Sequence, residues 1–148
     1  ILTDNVKVKK VRKDAVIPTY GTTSSAGADL YACLEADSIE IAPRETAMIP
    51  TGLSMEIPEG FAGLIYARSG LASKKGLAPA NKVGVVDSDY RGEIMVALHN
   101  HSDKVACVEY GERIAQFIVT PFLHANFEEV TELNDTERGT GGFGSTGK

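Results

Sequence analysis

Short runs rich in valine and isoleucine recur along this chain, and each is closed by Gly, Pro, Asn or Asp before it reaches the length of a helix. The clearest is 93–100, where Ile94, Val96 and Leu98 alternate with Glu93, Met95, Ala97 and His99. A period of two belongs to a strand with one buried face. Comparable runs at 6–11, 38–41, 46–49, 53–57, 61–67, 83–86, 105–110, 113–120 and 127–130 bring the total to about ten short strands, which predicts an all-β sandwich or barrel. Residues 30–42 lack Gly and Pro and could form a helix, but the alternation at 38–41 favours a strand. Residues 69–75 predict a single helical turn after the strand that ends at Ala67.

A chain of 148 residues fits one domain, and a domain of that size buries roughly 68–70% of its unfolded surface without a staple. Cys33 and Cys107 have neither C-x-x-C spacing nor a histidine cluster beside them, so they read as small buried apolar side chains. No run approaches the ~18 apolar residues of a membrane span, and the segment after Ile1 lacks the layout of a signal peptide. These features predict a soluble, cytoplasmic protein that does not engage membranes. The net charge of −5 repels polyanions and argues against general nucleic-acid binding. A phosphate ligand would need converging arginines, glycine-rich turns or a divalent cation.

Several segments carry more chemistry than a turn requires. Gly84-Val85-Val86-Asp87-Ser88-Asp89-Tyr90-Arg91-Gly92 runs an apolar strand into two carboxylates, a ring and a guanidinium. Alone it reads as a hairpin tip. Arg68-Ser69-Gly70 places a guanidinium, a hydroxyl and an unhindered backbone N–H at a strand end, a set that suits phosphate oxygens or a solvated turn. Gln116 stands in an apolar strand and needs partners if it points inward, because an unpaired buried amide costs about 1–3 kcal/mol. Asp29 sits among small apolar residues, and a turn or capping role explains it equally well. His99-Asn100-His101 reads better as a polar hairpin loop than as a metal site. The segment from Arg138 to Gly147 holds five glycines, which predicts a flexible terminus, yet it also carries Phe143, a ring that needs somewhere to land.

Five segments occur in a fixed order: AGADLYA at 26–32, PEGFAGLIYARSGLA at 58–72, NKVGVVDSDYRG at 81–92, GERIAQF at 111–117 and RGTGGFGSTG at 138–147. The ordered set resembles the five motifs of the trimeric deoxyuridine triphosphatases (dUTPases). Ala28 and Ala67 depart from the residues common in those motifs, and neither carries a reacting group. The resemblance implies a jelly-roll-like β barrel or sandwich over 1–133 and a flexible glycine-rich C-terminal arm over 134–148 that closes over a neighbouring subunit's active site. It implies a homotrimer with shared sites, and a Mg²⁺-dependent diphosphatase that splits dUTP into dUMP and pyrophosphate. Such an enzyme limits uracil in DNA and supplies dUMP for thymidylate synthesis.

Under that resemblance Asp87 orients the attacking water and holds the 3′-hydroxyl, and Tyr90 packs beneath the deoxyribose. Gly84, Val85, Val86 and Asp87 read the uracil edge through their backbone, with Asn81 and Met95 nearby. Arg68, Ser69 and Gly70 hold the phosphates, and Gln116 takes the α-phosphate or a metal-bound water. Mg²⁺ rides on the triphosphate, with Asp29 reaching it through water. Arg138 clamps the γ-phosphate, Phe143 stacks on uracil, and Gly144 and Ser145 complete the arm's contacts. Asp89 and Arg91 are left with turn or intersubunit pairing roles. The dCTP deaminases share a related fold and are the nearest rival; a non-catalytic nucleotide-binding trimer is the alternative from another class.

Overall fold

The computed structural model describes residues 4–144, so Ser145 lies outside the described residues. Eleven strands and one short helix follow one another: β1 Lys7–Lys10, β2 Thr19–Tyr20, β3 Ala28–Tyr31, β4 Ser38–Ile41, β5 Thr46–Glu56, β6 Phe61–Tyr66, α1 Ser69–Lys75, β7 Leu77–Pro79, β8 Gly84–Val86, β9 Glu93–Asn100, β10 Ala106–Glu109 and β11 Arg113–Pro121. They form a four-stranded sheet ordered β1-β5-β9-β7, a five-stranded sheet ordered β2-β3-β11-β6-β8 and the pair β10-β4. Every pairing is antiparallel. The expected all-β, jelly-roll-like architecture is what forms, as sheets packed face to face rather than one closed barrel.

Alternation explains the core. In β9 the burial pattern switches at every residue, with Ile94, Val96, Leu98 and Asn100 inward. Leu30, Ile49, Leu53, Leu77, Leu98, Val108 and Ile114 are fully excluded from solvent and knit the sheets into one apolar cluster. Buried Asn100 is fully satisfied. Its Nδ2 donates to the carbonyls of Ile41 at 2.9 Å and Lys104 at 2.7 Å, while its Oδ1 accepts from Ser102 N–H at 2.9 Å. The polar loop after β9 is thus pinned from within, and His99 Nδ1 lies 2.8 Å from Thr46 Oγ1 across the sheet.

Several expected boundaries move. The runs 46–49 and 53–57 are one strand, β5, because the Thr51-Gly52-Leu53 segment bulges without ending the ladder: Pro50 pairs with Met95, and pairing resumes at Ser54 with Glu93. The stretch 30–42 splits into β3 and β4 around a turn, and β2 and β7 lie where no strand is expected. Residues 127–130 form no strand, because no neighbouring strand pairs with them; Phe127 is 94% exposed. The expected helical turn is α1, closed by left-handed Gly76, whose N–H reaches the carbonyls of Ala72 and Leu71. Among the described residues no helix is long and apolar enough to cross a membrane.

Candidate active site

Strand β8 lies at the edge of the five-stranded sheet, paired only with β6 through Gly63–Val86, Leu64–Val85 and Ile65–Gly84. Its other edge keeps backbone donors and acceptors that no strand takes. That edge borders a groove of about 320 Å³ between β8 and β9. Asn81, Gly84, Val85, Val86, Asp87, Tyr90 and Met95 all line it, so the structure brings together this whole expected group. Ile65, Ile94 and Val96 give the groove an apolar floor. Gly84 is buried, and a methyl there would meet Ile65 Cβ at 3.2 Å, so glycine lets the hairpin lie close against β6.

Local chemistry fixes the turn after β8. Asp87 C=O accepts from Tyr90 N–H at 3.2 Å, leaving the Asp87 carboxylate exposed on the groove. The Tyr90 ring folds back so that its hydroxyl donates to Glu93 C=O at 2.8 Å. Gly92 makes room for this, since a methyl there would lie 2.6 Å from Tyr90 Cζ. Arg91 donates to Ser88 C=O at 2.6 Å and approaches Glu56 at 3.8 Å, the turn role expected of it.

A second group forms on the other side of β6. Cross-strand register sets Asp29 of β3 opposite Gln116 of β11, and Gln116 opposite Tyr66 of β6, so the three share one sheet face. Arg68, just beyond β6, donates from Nε to Asp29 Oδ1 at 3.0 Å. The other Asp29 oxygen lies 3.8 Å from Arg113, whose carbonyl accepts from Arg68 at 3.3 Å. Gln116 Nε2 donates to Ala67 C=O at 2.9 Å, so the amide has the partner its position demands. Ser69 and Gly70 are exposed at the start of α1, and Gly70, Arg68 and Arg113 border a cavity of about 440 Å³. Arg113 lies within the fourth segment, 111–117, without an assigned role there; the register of β11 against β3 is what brings it to Asp29. Folding likewise brings Glu93 its partner: its carboxylate accepts two bonds from Arg12, a residue 81 positions earlier.

The β8 groove and the cavity bordered by Arg68, Gly70 and Arg113 have no lining residue in common. Arg138 and Phe143 join neither: Arg138 Nε donates to Gly141 C=O within the tail at 2.6 Å, and Phe143 is fully exposed at positive φ. Gly144 follows it at φ 86°, a conformation suited to glycine. Among the described residues no three His, Cys, Asp or Glu side chains gather as a metal site.

A sequence model of the dUTPase family matches residues 13–147. The chain is 49% identical over 140 residues to the deoxyuridine 5'-triphosphate nucleotidohydrolase of Hydrogenobaculum sp., covering 95% of this chain and 96% of that one. It is 48% identical over 143 residues to the enzyme of that name from Nautilia profundicola, covering 97% and 99%. The solved structure of Staphylococcus bacteriophage 80alpha dUTPase with dUPNHPP superposes with a TM-score of 0.88 at 29% identity, covering 99% of this chain and all of that one. With matches that run nearly end to end, the chain belongs to the dUTPase family.

Proposed function

We propose that this protein hydrolyses dUTP to dUMP and pyrophosphate. The observation that carries the reading is the groove in which the open backbone edge of β8 meets Asp87 and Tyr90. A free strand edge offers donors and acceptors in a fixed row, which suits the edge of uracil and rejects cytosine's inverted pattern. The apolar floor leaves no slack for thymine's methyl. Tyr90, held by Glu93 C=O, supports the deoxyribose and fills the place a 2′-hydroxyl would need. Asp87 accepts the 3′-hydroxyl and aims a water at the α-phosphorus; a bond forms from that water oxygen to phosphorus as the bond to the bridging oxygen of the leaving pyrophosphate breaks. Aim matters more than basicity in this chemistry.

Arg68, Ser69, Gly70 and Gln116 hold the phosphate chain. The acidic donor set there fits Mg²⁺ only as a cation that arrives on the triphosphate, since Asp29 is one carboxylate already shared with Arg68 and Arg113. Bound that way, Mg²⁺ would supply charge neutralisation at the phosphates, and Asp29 is the residue that would hold it through water.

The β8 groove and the cavity bordered by Arg68, Gly70 and Arg113 share no lining residue within the single chain. This supports a homotrimer whose sites are shared, with residues 1–133 as the body and 134–148 as an arm. Leu123, Phe127 and Leu133 are 91%, 94% and 86% exposed in the single chain, as expected of a segment that crosses a neighbour. The arm would bring Arg138 to the γ-phosphate and Phe143 over the base, with Gly144 allowing the backbone to bend and Ser145 adding a phosphate contact. Incubation with Mg²⁺ and dUTP, dCTP, dTTP or UTP tests the reading. Pyrophosphate from dUTP alone is expected; ammonia from dCTP, or pyrophosphate from all four, overturns it.

A further inference from the structure

The bulge in β5 has a fixed set of partners. Between the pairs Pro50–Met95 and Ser54–Glu93, Thr51, Gly52 and Leu53 face the single residue Ile94. Thr51 Oγ1 donates to Ile94 C=O at 2.6 Å and replaces a lost ladder bond. Gly52 sits at φ 73°, where a methyl would meet Ala15 Cβ at 2.7 Å and Cys33 Sγ at 3.1 Å. Its C=O accepts from Val11 N–H at 2.7 Å, and its N–H donates to Glu93 Oε2 at 2.8 Å. Arg12, next to Val11, then closes on the same carboxylate with two bonds, Nε to Oε2 at 2.7 Å and the terminal nitrogen to Oε1 at 3.1 Å. The Glu93 side chain is 19% exposed and the Arg12 side chain 32%, so the pair is part-buried, with Glu93 on the lining of the groove. Glu93 therefore carries three bonds on its side chain while its backbone C=O holds the Tyr90 hydroxyl.

We propose that Arg12 and Glu93 are positioning residues for Tyr90, setting discrimination at the sugar 2′ position. The proposal rests on the dUTP reading above and extends it to residues outside the five motifs. Glu93 cannot shift along or turn about β9 while its carboxylate is forked by Arg12 and tied to Gly52. The acceptor for the Tyr90 hydroxyl is fixed with it, and so is the height of the ring below the sugar. Loss of the fork frees the start of β9, lets the ring drop, and opens room for a hydroxyl that the wild-type groove excludes.

The test is kcat/KM for dUTP and UTP in wild type, Arg12→Met and Arg12→Lys, each assayed well below its melting temperature. A packed pocket rejects one added hydroxyl by about 10²-fold. Arg12→Met is expected to lose roughly tenfold of the dUTP preference, a partial relaxation of that rejection. Arg12→Lys, which keeps the charge but not the fork, is expected to fall between the two. A purely structural role would lower the melting temperature and leave the ratio of the two kcat/KM values where it was. An unchanged ratio in folded Arg12→Met overturns the proposal, and should that variant fail to fold, an unchanged ratio in Arg12→Lys does so. Wild type that hydrolyses UTP as readily as dUTP, or neither, instead strikes the functional reading and takes this proposal with it.

Discussion

Gly27→Ala offers a way to displace Gln116 without touching it. Gly27 precedes β3, at no special backbone angle, so alanine is tolerated by the chain itself. The added methyl would lie 3.0 Å from Gln116 Cβ and 3.1 Å from its Cδ, and would overlap the amide oxygen. That Cβ belongs to β11, held between β3 and β6, so the backbone gives little and the amide must swing away by about 1 Å. Swinging breaks the bond from Nε2 to Ala67 C=O, a loss of about 0.5–1.5 kcal/mol. An off-rotamer side chain adds a similar ~0.5–1.5 kcal/mol. The sum, about 1–3 kcal/mol, lowers the melting temperature by roughly 2–12 °C in a domain of this size. The effect on turnover is larger in proportion, because a misplacement of about 1 Å at a phosphate-positioning group costs up to about 10²-fold. Pyrophosphate release from dUTP is measured in wild type, Gly27→Ala, Gln116→Ala and the double variant, with melting curves as controls. If Gln116 handles the phosphates, the two single variants lose similar activity and the double loses little more. A folded Gly27→Ala with wild-type turnover refutes the reasoning, as does full additivity of the two losses.

Asp87→Asn keeps the shape of the turn but not the charge that aims water, so turnover is expected to fall by orders of magnitude with dUTP affinity preserved; stopped single-turnover assays and equilibrium titration separate the two, and near-normal turnover removes the assigned role. Truncation before Arg138 is expected to leave melting unchanged and catalysis poor, since the described residues of the segment, 138–144, make only local bonds in the single chain; a truncated protein at full rate rejects the closing-arm role. Acid stability provides a fourth check through Glu93, whose carboxyl is held below the ordinary 4.5, first by its bond from Arg12 and then by Gly52 N–H. A depressed carboxyl stabilises the fold above its unfolded pKa, and the contribution is lost as pH falls through the folded value. Glu93→Gln should therefore flatten the decline of melting temperature below about pH 5, and parallel curves for variant and wild type would show that the pair contributes nothing to acid stability.

Strand β9 and helix α1 were legible because each declares itself locally: β9 alternates without interruption, and α1 follows a strand end with no Gly or Pro after Gly70 until Gly76 closes it. The β5 bulge was not, because Thr51-Gly52 has the look of a turn and only the registration of β9 beside it shows the ladder resuming. Phe127 and Val130 mislead for the opposite reason. A short segment with β-favouring residues at its ends forms a strand only where a sheet exists to receive it, and in the single chain Phe127 and Val130 remain exposed.

The same distinction runs through the candidate site. Asp87 and Tyr90 lie on one strand-turn segment, so their proximity follows from sequence neighbourhood, and the chemistry of the segment shows in its letters. Asp29 and Gln116 stood out as polar residues in apolar surroundings and Arg68 as a guanidinium at a strand end, but their meeting depends on β3 and β6 flanking β11, a registration no local pattern specifies. The groups that hold them in place are the least visible. Arg12 is an ordinary surface arginine by sequence and Arg113 an unassigned member of the fourth segment, and each gains its partner only when folding brings a carboxylate from a distant strand against it. The residues placed to meet substrate must carry unusual chemistry and so show in the sequence; those that aim them need only the right partner, and that partner is chosen by topology.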